Sequence, residues 1–141
     1  MASITAQTPT KMGWSIGLWT AQVALAGMFA LSGYMHVATA PEALVQMGMA
    51  WAGDAPVWLI RFIGIAELAG AVGVILPALT RILPALTPLA ALGLGTIQVL
   101  ALGLHVSRQE WGPPAMNAVL IAIALFVVWG RFSKAPVASR N

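Results

Sequence analysis

The stretch "VWLIRFIGIAELAGAVGVIL", Val57 to Leu76, carries one cation near its start and one carboxylate, Glu67, in its middle. Everything else in it is apolar or small. A run of this length covers about 30 Å as an α-helix, the thickness of a bilayer's hydrocarbon layer. Three other windows read the same way: Trp14 to His36, Leu86 to Val106 and Ala115 to Phe132. The whole chain of 141 residues is 60% hydrophobic with a mean hydropathy of +0.87, which lies outside the range of soluble domains. The connections are short, so the expected fold is all-α, an integral membrane four-helix bundle running up-down-up-down. Residues 1–13 form an N-terminal cytoplasmic segment, 14–132 the four-span domain and 133–141 a basic tail. The first run follows "MASITAQTPTKMGW" and is full length, so it reads as a retained span rather than a cleaved signal.

With four antiparallel spans, the N-terminus, the loop between spans two and three and the C-terminus share one side. Lys11, Arg81, Arg131, Lys134 and Arg140 fall there without an acid among them, whereas Glu42, Asp54, Arg108 and Glu110 fall on the other. The positive-inside bias therefore predicts that both termini are cytoplasmic and that the protein is a multi-pass component of the cell's inner (plasma) membrane. Trp14, Trp19 and Trp129 at the inner ends and Trp51, Trp58 and Trp111 at the outer ends match the belts that aromatic residues form at membrane interfaces. This distribution also explains the basic pI of about 10.2 without nucleic acid, which is not an expected partner. The chain has no cysteine, which removes disulfides, iron–sulfur clusters, thiolate zinc sites and cysteine redox chemistry. No metal site is expected.

The same topology gathers polar residues from distant parts of the chain toward the outer face. Tyr34 and His36 end span one, Arg61 begins span two, His105 ends span three and Asn117 begins span four. Glu67 lies ten residues into its run, about 15 Å below Val57 and close to the midplane. Gln98, seven residues before His105, shares its helix face at similar depth. A carboxylate at that depth costs ~2.5 kcal/mol or more and usually faces a bundle interior or a water-filled cavity. Glu67 is either a structural carboxyl, bonded to Gln98 or a hydroxyl, or an acid available to donate and accept protons. Gly64 and Ala71 on its stripe let a neighbouring helix approach.

His105, with Gln98 on its face, is the histidine expected to turn inward beside Glu67, and these two are the candidate catalytic residues. Arg61, Gln98, Asn117, His36 and Tyr34 are candidate ligand-binding residues. Arg61 either snorkels to the interface or attracts an anionic or quinone-like oxygen. Arg108 and Glu110 read as an ion pair on the wet rim, where such pairs contribute about 0–1 kcal/mol. Bis-histidine haem ligation by His36 and His105 has no further support in the sequence and is not expected. The loop around Leu44, Met47 and Met49 has helical spacing and predicts a short amphipathic segment on the outer surface, placed to act as a lid. The tail "SKAPVASRN" predicts disorder, with contact to anionic headgroups at most.

The "LSGYMH" end of span one, the segment "RFIGIAELAGAVGVILP", the "HVSRQE" turn and the closing "NAVLIAIALFVVWGRF" together resemble the DoxX-like family of small four-helix membrane proteins. The resemblance covers about residues 14–132. Carried over by position, it implies that Arg61, Glu67, His105, Arg108, Glu110 and Asn117 are the recurring polar positions; relatives often place a lysine where His36 stands. It also implies a link to membrane redox systems, in founding relatives to quinone-linked sulfur oxidation, and in a distant branch to receptor assembly. The expected function is a subunit or accessory of a quinone-linked membrane redox system, binding a lipophilic small molecule near the outer face, with a membrane redox partner or a second copy of itself. Two alternatives stay open: a cofactor-free membrane enzyme doing isomerase- or cyclase-type acid–base chemistry with Glu67 and His105, and a non-enzymatic scaffold or assembly chaperone.

Overall fold

The computed structural model describes residues 9–140, with side chains from residue 11 onward; expectations for residues 1–8 and 141 lie outside the described residues. Four long helices carry the fold: α1 (Pro9–Ala38), α3 (Val57–Thr80), α4 (Leu86–Ser107) and α5 (Pro113–Trp129), with the short α2 (Pro41–Gln46) between the first two. The long helices, α5 together with the turn that continues it to Lys134, are each long and apolar enough to cross a membrane. No strand occurs among the described residues.

Prolines set several boundaries. Pro41 and Pro113 occupy first-turn positions, where a missing N–H costs nothing. Pro56, extended at φ −64° and ψ 141°, is the residue from which α3 starts. The second apolar run reads as ending at Leu76, but α3 continues past it with Pro77 inside the helix. A proline in the last turn forfeits one backbone bond, which the remaining turn survives, and the helix stops at Arg81 in the left-handed conformation (φ 61°). The helices extend past their apolar runs because backbone hydrogen bonding continues through polar residues that end a hydropathy window.

The helices pack in a closed ring, α1 on α3, α3 on α4, α4 on α5 and α5 on α1. Leu25, Phe29, Val74, Leu94, Ala124 and Val127 meet at its centre. The outside is as apolar as the inside, with Phe62, Ile65, Val72, Val99, Leu100 and Leu125 all more than half exposed. Helices apolar all round are solvated by lipid rather than water, and contact with the bilayer follows directly.

One crossing brings backbone against backbone. Gly33 of α1 and Gly64 of α3 face each other so closely that a Cβ on either would lie 2.8 Å from the other's carbonyl oxygen. In lipid, where no hydrophobic force drives helices together, such small-residue contacts bring backbones into van der Waals range. This crossing sets the distance between the polar residues on either side of it.

The segment between α1 and α3 forms a short helix as expected, but of the three residues whose spacing suggests it α2 includes only Leu44: it ends at Gln46, Met47 and Met49 lie outside it, and a 3₁₀ turn follows over Ala50–Gly53. Leu44, Ala52 and Ile60 are fully buried together, with Met49 and Trp51 packed on them, so this segment is pinned over the end of the bundle. The C-terminal residues are a correction. Expected as a disordered tail, they follow a π-helical turn (Gly130–Lys134) and fold back onto the α3–α4 connection, where Arg140 N–H donates to the Arg81 carbonyl at 3.0 Å. Arg81 reciprocates through Nε to the Ala138 carbonyl at 3.1 Å.

Candidate functional site

Ser32 and His36 stand one helical turn apart on the face of α1 that meets α3, and Gly33 between them admits the partner helix. On α3, Arg61, Gly64 and Glu67 recur at three-residue spacing along the opposing stripe. The glycine crossing therefore presses Glu67 against Ser32 and His36. The Ser32 hydroxyl lies 3.1 and 3.2 Å from the two Glu67 carboxylate oxygens, and His36 Nδ1 lies 2.7 Å from Oε2. Both members of the pair are buried, His36 at 6% and Glu67 at 3% exposure. At that burial a carboxylate without partners is untenable.

The second ring nitrogen of His36, Nε2, is buried with no hydrogen-bond partner among the described residues. When Glu67 is ionised, Nδ1 carries the proton shared with the carboxylate and Nε2 presents a bare lone pair. When the ring is protonated, Nε2 presents an N–H. Either way the carboxylate fixes the ring's orientation and tautomer and leaves one nitrogen for something else, the arrangement by which carboxylates position imidazole bases in enzymes. Trp51 stands edge-on to the imidazole, with centroids 5.4 Å apart, so the pinned loop closes over the site.

Arg61 is close by but otherwise engaged. Its Nη1 donates to the carbonyl of His36, in the last turn of α1, and to that of Thr39, just past its end, where carbonyls have no partner within the helix and carry its negative dipole end. These two bonds use one terminal nitrogen and tie Arg61 to the end of α1. Tyr34, on the next face of α1, is 64% exposed and points away from His36 and Glu67.

The remaining candidates form two separate groups. Asn117 Nδ2 donates to Gln98 Oε1 at 2.5 Å, tying α5 to α4, so Gln98 is a partner of Asn117 and not of Glu67. His105 Nδ1 lies 2.7 Å from Glu110 Oε2. Arg108 then bridges Glu110 (Nε to Oε1, 2.7 Å) and Asp54 (Nη1 to Oδ2, 2.7 Å). His105 is thus drawn into the rim network, while His36 takes the place beside Glu67 that the sequence assigned to His105. A helix-end imidazole five residues from a carboxylate finds it locally, whereas reaching Glu67 requires a neighbouring helix. No cluster of three or more metal-ligating His, Asp or Glu side chains occurs among the described residues.

The rim network makes a pH prediction. The Arg108 guanidinium, and after it the His105 ring, hydrogen-bond the Glu110 carboxyl and hold it below the usual carboxylate range. A carboxyl depressed in the folded state contributes stability above its unfolded value, and that contribution disappears as pH falls through the folded value. Wild-type protein should therefore melt above a Glu110→Gln variant at pH 7, and the gap in Tm should close on acidification below about pH 4. A gap of constant size across that range would contradict the assignment.

The sequence assigned no role in a site to four residues: Ser32 and Trp51 beside His36 and Glu67, and Gln22 and Arg131 elsewhere. Gln22 Nε2 donates to the Val74 carbonyl at 2.5 Å and Arg131 Nε donates to Gln22 Oε1 at 2.6 Å. Gln22 was detectable by the signal that exposed Glu67, a polar side chain inside an apolar run. Ser32 and Trp51 carried no such signal, since hydroxyls and tryptophans are ordinary at these positions.

A family model described as the DoxX-like family matches residues 20–127. No curated protein and no solved structure matches the chain.

Proposed function

Because this chain belongs to the DoxX-like family, a family of small membrane proteins, we propose that it is an accessory or subunit of a quinone-linked redox system of the inner membrane, and that His36 Nε2 is the atom that meets the quinone. The up-down-up-down arrangement with cytoplasmic termini, argued from the charge distribution, puts this site toward the outer face. The observation that carries the reading is the buried, unpartnered Nε2 of an imidazole whose other nitrogen is held by Glu67. Such a nitrogen donates a hydrogen bond to a quinone carbonyl when protonated and accepts one from a quinol hydroxyl when not. Electrons come from a redox partner. This chain's contribution is to bind, orient and exchange protons, with Glu67 and Ser32 steadying the ring and Trp51 covering it. Arg61 acts through α1, holding its last turn and with it His36.

The test is equilibrium binding of decylubiquinone to protein in lipid nanodiscs, followed by quenching of tryptophan fluorescence. Saturable binding is expected for the wild type, weakened about tenfold in His36→Gln, the loss of roughly one well-formed hydrogen bond. His105→Gln should bind as the wild type does. Absence of saturable binding, or equal binding by His36→Gln, would sink the proposal.

The same dyad supports a second reading, acid–base catalysis on a neutral lipophilic substrate, because a carboxylate-oriented imidazole is a competent general base without any cofactor. It differs in outcome: a lipophilic compound would be chemically converted by the purified protein with no electron donor present.

A further inference from the structure

Arg131 sits at the opposite end of the bundle from Glu67, and among the described residues its charge has no counter-ion. It is 5% exposed. Nε is given to Gln22, Nη1 donates to the Ala135 carbonyl at 3.1 Å, and the guanidinium lies 5.3 Å from the centroid of Trp19. Nη2 is buried with no hydrogen-bond partner among the described residues. The chain has four acidic side chains, Glu42, Asp54, Glu67 and Glu110, and none can help. Glu67 is held by Ser32 and His36, Asp54 and Glu110 share Arg108, and Glu42 belongs to α2, between α1 and α3. Neutral acceptors and an aromatic face compensate a buried cation only in part, so an anion supplied from outside these side chains would be stabilised here.

Beside Arg131 is a cavity of about 440 Å³ that it lines together with Leu83, Leu86, Phe132, Val137 and Ser139. Its walls are mostly hydrocarbon, and Leu83, Leu86 and Phe132 continue outward as exposed apolar surface, 68%, 46% and 54% accessible. Three more cations cluster around this end. Lys134 shares the π-helical turn with Arg131, and Arg81 and Arg140 are joined through the folded-back tail.

We propose that this cavity is a binding site for an anionic membrane phospholipid, whose phosphate neutralises Arg131 while its apolar part lies along Leu83, Leu86 and Phe132. A buried cation beside an apolar cavity, ringed by further cations, is complementary to a molecule that joins an anion to a hydrocarbon chain. Soluble phosphate would satisfy the charge but gain nothing from the walls, and a zwitterionic lipid would bring its own cation into a region that already has four. The folded-back C-terminal residues, Val137 and Ser139 among them, form the outer wall, so lipid binding and tail docking stabilise one another.

The test is native mass spectrometry of the full-length protein, delipidated in neutral detergent and then supplied with phosphatidylglycerol, phosphatidylcholine or inorganic phosphate, with melting followed in parallel. The wild type should retain phosphatidylglycerol at least about fivefold over phosphatidylcholine, the selectivity expected of ~1 kcal/mol per cation engaged, and should melt higher with it. Arg131→Gln should lose that preference. Because Arg131→Gln also breaks the bond to Gln22, Val137→Trp, which fills the cavity and leaves that bond intact, should lose the preference while melting normally without lipid. Equal retention of the two lipids by the wild type, or persistence of the preference in Val137→Trp, would overturn the proposal. So would equal stabilisation by inorganic phosphate, which would assign the site to a free anion.

Discussion

Gly64→Ala should destabilise the protein by about 1–3 kcal/mol, the usual cost of overpacking a rigid contact. The added methyl would meet the Gly33 carbonyl oxygen and the His36 Cβ, each at 2.8 Å. The first of these is backbone and cannot rotate away, so α1 and α3 must separate. Gly33→Ala meets the Gly64 carbonyl at the same distance and should behave alike. Separation of the helices also withdraws Glu67 from Ser32 and His36, so the damage extends from packing to the polar site. Gly27→Ala and Gly93→Ala are the controls: nothing lies within 4 Å of a Cβ built at either position, and alanine there should be neutral or stabilising by up to ~1 kcal/mol. Thermal melts of the four variants in one detergent compare them directly. A Gly64→Ala protein that melts with the controls would mean the crossing is looser than described.

His36→Leu should be costlier still, about 3–5 kcal/mol, because it leaves the Glu67 carboxyl buried with only the Ser32 hydroxyl. Removing both partners removes the problem, so His36→Leu/Glu67→Leu should be distinctly more stable than His36→Leu alone. Melting in a double-mutant cycle measures the coupling, and strictly additive effects would show that the pair does not act as a unit. The corresponding cycle between His105 and Glu67 should show no coupling, since His105 is held by Glu110. This contrast separates the site as folded from the site as the sequence arranged it.

The elements of the fold were legible because each is announced by composition. Four apolar runs, prolines and short polar connections are properties of consecutive residues, and the lipid environment admits few structures besides helices for such runs. Glu67 was legible for the same reason, as a charge where charge is expensive. The rim pair of Arg108 and Glu110 was legible because its members are two residues apart. Arg131 was read only as one basic residue in a flanking segment, because its burial depends on where α1 lies and on Gln22 reaching across from it.

What the sequence determined alone is therefore which residues enter the membrane and which polar groups need partners there. Tertiary structure decided which partner each group found. Both histidines were expected near one membrane face, and nothing in either helix states its rotation about its own axis relative to its neighbours. That rotation is set where Gly33 and Gly64 let α1 and α3 meet backbone to backbone. Once they meet there, Ser32 and His36 are pressed against Glu67, and Nε2 of the histidine is left free under Trp51.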